Sequence, residues 1–262
     1  MLTIACMSLS GGQGKTTTTV LLAKKLAMVG YTVLAVDADP QSNLTTFLEA
    51  DVGEDMPTLL EVFKGSVKVE DGIYPTSLEN LLLMPSDDAL DTVQDYLSSS
   101  GVGAMLLGKR LEPVASAFDL CLIDSPPQRS QICKSVIGAA DQIIIPCEAT
   151  VKGYGSLVRT LDAIQELCEL GVSQAKLLGV IPFRDRWVGK NQTYESRMCI
   201  QEIISEVGKE LVLPSIRESE RYKQAISKST TLSALGFSDL EYPFSQLEER
   251  VKTILGVTHE RS

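Results

Sequence analysis

The chain has 262 residues, with 34 acidic against 24 basic side chains and a net charge of −10. That length suits one large α/β domain over residues 1–262, with room for a sizeable core. The acidic balance excludes a protein that coats nucleic acid with its whole surface but allows a local basic patch. The only histidine, His259, lies in the polar tail, which excludes a histidine-based catalytic triad. No apolar run approaches the ~20 residues of a membrane span, and the N-terminus lacks the basic region of a signal peptide. Six cysteines are scattered without C-x-x-C spacing, and Cys6, Cys121 and Cys147 fall in strand-like runs. They read as buried thiols in a reducing cytosol rather than zinc or iron–sulfur ligands.

In chain order, the apolar run Leu2–Ser8 reads as a first strand. Ser10-Gly11-Gly12-Gln13-Gly14-Lys15-Thr16-Thr17 follows, then a helical run from Thr17 to Val29 that stops at Gly30. Strand, Gly-rich turn and helix is the context of a phosphate-binding loop. Glycines let successive N–H groups point at phosphate oxygens, and the helix N-terminus adds partial positive charge. Lys15 can reach the β- and γ-phosphates of ATP, and the Thr16 hydroxyl can ligate Mg2+. The spacing is shorter than the general G-x-x-x-x-G-K-[ST] pattern, so this is a variant loop.

Further strands are expected at Thr32–Asp37, Asn80–Met84, Leu120–Asp124, Gln142–Pro146, Lys176–Ile181 and Leu211–Leu213. Short and apolar nearly throughout, they suit parallel strands covered on both faces. Helical runs lie between them at Tyr154–Leu170 and Gln192–Lys209, and Asp87–Arg110 is broken by a turn at Ser98–Gly101. The pattern predicts a doubly wound, mostly parallel α/β sheet with helices on both faces. Ligands bind beyond the carboxyl ends of such strands, and acidic residues fall there twice. The second strand ends in Asp37-Ala38-Asp39-Pro40-Gln41 and the fourth in Asp124-Ser125-Pro126-Pro127. Asp37 and Asp124 can orient magnesium-bound water, and Asp39 can position or deprotonate the attacking water.

These three motifs, with Gly11 to Thr17, Val36 to Gln41 and Ile123 to Pro127, resemble the ParA/MinD family of deviant Walker-box ATPases. Weaker similarity continues through Pro146-Cys147-Glu148 and Leu213 to Ile216, and the Asp-Pro-Gln form is nearer to partition ATPases than to MinD. The resemblance implies ATP sandwiched between two subunits of a homodimer. It also implies DNA binding without sequence preference, and hydrolysis stimulated by a partner on a cargo. One position departs. The family carries a signature lysine where this chain has Ser10, and that lysine touches the partner's phosphates as an arginine finger does. Hydrolysis can have been lost, the sandwich can have been lost, or another cation can act in trans.

Serine here resembles the carboxysome-positioning McdA subgroup, which implies a substitute lysine later in the chain and an McdB-like cargo adaptor. Lys152, just past the Gln142–Pro146 strand, is the first choice, with Lys190 or Arg184 next. Alternatives are a plasmid or chromosome partition ATPase, a nucleotide-gated scaffold with negligible hydrolysis, and a metabolic kinase or synthetase.

Pro182 to Lys228 carries nine basic and seven acidic residues, a net of +2 that leaves −12 for the rest. Arg186, Lys190, Arg217, Arg221, Lys223 and Lys228 are the candidate DNA contacts, and a nucleoid-associated, cytoplasmic protein is expected. Phe183, Arg184 and Pro214 are the candidate base-side contacts implied by the resemblance. Trp187 fits either that pocket or packing. Ser245–Leu255 has apolar residues at helical spacing with mixed charges, which favours docking on the core over a membrane surface.

Overall fold

A computed structural model describes the backbone of residues 1–259 apart from Asp51 and Glu54, and side chains through Gly256. The side chain of His259 therefore lies outside the described residues. The strands are β1 (Leu2–Cys6), β2 (Val33–Asp37), β3 (Tyr74–Pro75), β4 (Leu81–Met84), β5 (Leu120–Asp124), β6 (Gln142–Glu148), β7 (Lys176–Asp185), β8 (Trp187–Val188), β9 (Asn191–Gln192) and β10 (Ile216–Arg217). The helices are α1 (Lys15–Met28), α2 (Asn43–Leu48), α3 (Leu59–Lys64), α4 (Val93–Ser99), α5 (Gly103–Leu111), α6 (Gln131–Ala139), α7 (Val151–Glu169), α8 (Tyr194–Val207), α9 (Arg221–Ser227) and α10 (Ser238–His259).

Eight strands form one sheet in the order β10-β7-β6-β1-β5-β2-β4-β3, and β8 and β9 form a separate hairpin. Every pairing in the large sheet is parallel except that of the short edge strand β3 with β4. Successive strand residues point to opposite faces, and each face has its own core. Ala5, Leu34, Val36, Cys121, Ile123, Ile143 and Ile145 pack with α3 to α8 on one side. Ile4, Val33, Ala35, Leu120, Leu122 and Ile144 pack with α1, α9 and α10 on the other. Burial on both faces explains why these strands read as continuous apolar runs.

The doubly wound architecture is the one expected. Two expectations need correction. Leu211–Leu213 is not a strand: Lys209–Leu211 forms a 3-10 turn, and Val212 makes one isolated parallel bridge to Val180. Pro214 supplies no N–H to a ladder, so pairing with β7 resumes only at Ile216. The Tyr154–Leu170 helix starts earlier, at Val151, because the Thr150 side chain accepts from Gly153 N and caps it. In α10, Leu247, Val251 and Leu255 enter the second core, and Lys25 of α1 pairs with Glu241 and Glu248 at 3.0 and 3.4 Å. Among the described residues no helix is long and apolar enough to cross a membrane.

Candidate functional site: the phosphate loop and its acidic wall

The loop from β1 to α1 turns through two left-handed glycines, Gly12 at φ 77° and Gly14 at φ 95°. Gly14 is required twice over: its φ disfavours any side chain, and an added Cβ would meet the Phe183 ring at 2.6 Å. Gly14 is also the N-cap of α1, with no capping side chain and no acidic residue in the first turn. The first N–H groups of α1 are thus left for an anion. Lys15 is buried, and its Nζ donates to Ser10 O at 3.3 Å, closing the loop on itself. Gln13 ties the loop to β6, its Oε1 accepting from Glu148 N at 2.8 Å.

Behind the loop stand three carboxylates. Asp37 and Asp124 are opposite each other in the β2–β5 register, and both are fully buried. Thr16 Oγ1 donates to Asp124 Oδ2 at 2.6 Å, while Asp124 Oδ1 is buried without a partner among the described residues. Burial, then the neighbouring Asp37 charge, pushes the Asp124 carboxyl well above the ordinary range, against the Thr16 hydrogen bond and Lys15. Asp37 accepts from Thr45 N and Thr45 Oγ1, both at 2.8 Å, and from Asp39 N at 3.2 Å. Burial outweighs those bonds and pushes Asp37 up to about 6. Asp39 is shallower and its Oδ1 accepts from Gln41 N at 3.0 Å. Its carboxyl is also raised, by burial first, with Gln41 N–H and Lys15 opposing.

A buried wall of carboxylates, with an orphaned oxygen beside a threonine hydroxyl, fits a hard divalent cation. Among the described residues there is no cluster of three or more His, Cys, Asp or Glu with metal-site geometry.

A cavity of about 340 Å³ opens over the loop. Gly11, Gly12, Gln13, Gly14, Lys15, Thr16, Thr17, Asp39, Phe183 and Arg184 line it, together with Gln41, Asn43, Phe47 and Pro127. Asn43 and Phe47 sit on α2, a helix too short to announce itself by periodicity. Arg184 adopts φ 52° and pairs with Glu148 at 3.4 Å. Pro214 and Trp187 are not brought to the cavity. Trp187 donates to Asp185 and lies under the Arg217 guanidinium at 4.6 Å.

Lys152 lies in the first turn of α7, exposed, outside the cavity, and without a hydrogen-bond or ion-pair partner among the described residues. The basic candidates divide. Arg186 pairs with Glu218 and Lys223 with Glu220, each at 3.1 Å. Arg217 stacks on Trp187 and Arg221 on Phe237. Lys190, in the β8–β9 turn, and Lys228, at the end of α9, are exposed and unpaired among the described residues.

Such a loop, opening α1 and backed by Asp37, Asp39 and Asp124, defines a P-loop nucleotide-binding protein of the deviant type. A family model described as an AAA domain matches residues 1–173. The chain is 48% identical over 251 residues to maintenance of carboxysome distribution protein A of Synechococcus elongatus, covering 96% of this chain and 99% of that one. It is 51% identical over 258 residues to the protein of the same name from Gloeothece citriformis, covering 98% of each. An aspartate-to-alanine variant of Cyanothece McdA in complex with ATP superposes with TM-score 0.94 at 49% identity, covering 96% of both chains. The chain therefore belongs to the ParA/MinD family of AAA-domain ATPases, in the branch of the carboxysome distribution proteins.

Proposed function

We propose that this chain is a Mg2+-dependent positioning ATPase that distributes carboxysomes over nucleoid DNA. ATP binds across the loop, with Lys15 on its phosphates. Thr16, with Asp37 and Asp124 behind it, would hold Mg2+, which when bound would offset the negative charge of the phosphates. Asp39, at the mouth of the cavity, orients the attacking water. Two subunits close face to face, and Lys152 of each supplies to the other's phosphates the charge that Ser10 lacks. The closed dimer holds nonspecific DNA, and an McdB-like adaptor on the cargo stimulates hydrolysis and release.

One observation carries the reading. The neutral Ser10 and the exposed, unpaired Lys152 stand at the carboxyl ends of the adjacent strands β1 and β6. Arg184 is the poorer substitute, because Glu148 already pairs with it. Lys190 lies on the β8–β9 hairpin and belongs to the DNA face.

Phosphate release with and without duplex DNA tests the proposal. Slow turnover that DNA and adaptor accelerate is expected. Tight ATP retention with no turnover under any condition would instead indicate a nucleotide-gated scaffold.

A further inference from the structure

Ser10 is neutral, but a cation already touches it. Arg159, midway along α7, places Nη2 3.3 Å from Ser10 Oγ, to which it donates. Helical side chains lean toward the N-terminus of their helix. Two further bonds lie on the same face. Ser156 Oγ is 3.0 Å from Ser8 Oγ, and Thr160 Oγ1 accepts from Leu9 N at 3.1 Å. Residues 156, 159 and 160 share one side of a helix by i, i+3 and i+4 spacing. That side meets Ser8, Leu9 and Ser10 in succession. Ser156 and Thr160 are fully buried, whereas Arg159 closes the row at the exposed edge. Ser10 in turn accepts from Lys15 through its carbonyl, so a shift of Ser10 is felt at the phosphate-binding lysine.

We infer that Arg159 is a positioning residue of the nucleotide site, which through Ser10 fixes the entry of the phosphate loop to α7. The inference rests on the reading that this loop binds nucleotide. It gives the serine a role beyond the absence of a lysine: a hydroxyl accepts from the guanidinium, where a lysine would repel it. It also joins two functions in one element. α7 carries Lys152 at its start and grips its own loop about two turns later. The seating of one subunit's nucleotide and the direction of the cation it offers are then set by the same rigid helix.

The test is the affinity of the full chain for a fluorescent ADP analogue, a ligand whose binding needs no cation from a second subunit. Wild-type protein that fails to bind would remove the nucleotide reading itself and is scored separately. With binding established, Arg159→Ala and Ser10→Ala should each weaken affinity about fivefold, the worth of one hydrogen bond. The double variant should be no weaker than either single one, Arg159→Lys should recover most of the loss, and thermal midpoints should stay at the wild-type value. Unchanged affinity in Arg159→Ala overturns the inference, as do losses that add fully in the double variant. A loss confined to ATP turnover, with ADP affinity intact, also overturns it, because Arg159 would then act on phosphate directly.

Discussion

Asp37 and Asp124 face each other across the β2–β5 pairing, both fully buried, and two buried carboxylates so placed are a cost to the fold. For Asp37 the sign is definite. Its carboxyl is raised to about 6 in the folded chain from an ordinary 3.8. Between those values the folded state holds the extra proton, so stability falls as pH rises through that window and levels off above it. Asp37→Asn should flatten the change across the window and lower the midpoint at acid pH, because its amide NH2 cannot accept from Thr45 N or Asp39 N as the carboxyl oxygens do. A series of melts in matched buffers reads both effects. Asp39→Ala should act differently, leaving ATP affinity near wild type while turnover falls by about 10² or more, as single-turnover assays would report. The two aspartates thus separate, one by stability and one by rate. Their places beside the loop were legible in the sequence because they close and follow the apolar run of β2. Thr45 was not, since the hydroxyl that holds Asp37 arrives from a helix of six residues.

α7 lines none of the cavity but ties its loop to β6 and β1. Thr150 caps it, Lys152 projects from its first turn, and its next two turns hold Ser8 to Ser10. Gly153 lets it start close to β6: an added Cβ would meet Glu148 O at 2.0 Å. Gly153→Ala should therefore shift the α7 start, lowering stability by about 1–3 kcal/mol and weakening the Gln13–Glu148 link into the loop. Thermal melts and nucleotide affinity measured together check this. Long apolar strands and periodic helices were legible because burial on both sheet faces writes continuous runs into the chain. Leu211–Leu213 carried the same apolar signal, but Pro214 prevents it from propagating into a ladder. The Arg159–Ser10 contact left no local trace at all, since it joins residues 149 apart. Only the topology that sets β6 and α7 beside β1 brings them together.

At the scale of the whole molecule, charge partnering narrows the basic region. Arg186 and Lys223 are paired with carboxylates, and Arg217 and Arg221 are stacked on rings. Lys190 and Lys228 are left as the free contacts among the candidates. In the proposed DNA-bound dimer, two such contacts per subunit imply weak binding by a monomer and a log–log salt slope of about −3.6 once two subunits act together. Removing Lys190 from both subunits of a dimer should lower the log–log salt slope of DNA affinity by about 2, which fluorescence anisotropy across a salt series would show.

The same two-subunit logic underlies the central claim that Lys152 completes the partner's site. Lys152→Ala and Asp39→Ala proteins should each be nearly inactive alone. Mixed in equal amounts, they should recover about a quarter of wild-type ATPase activity, because random pairing leaves one complete site in half of the dimers. A mixture no more active than its separate components, or a Lys152→Ala protein that hydrolyses ATP normally, would contradict the account.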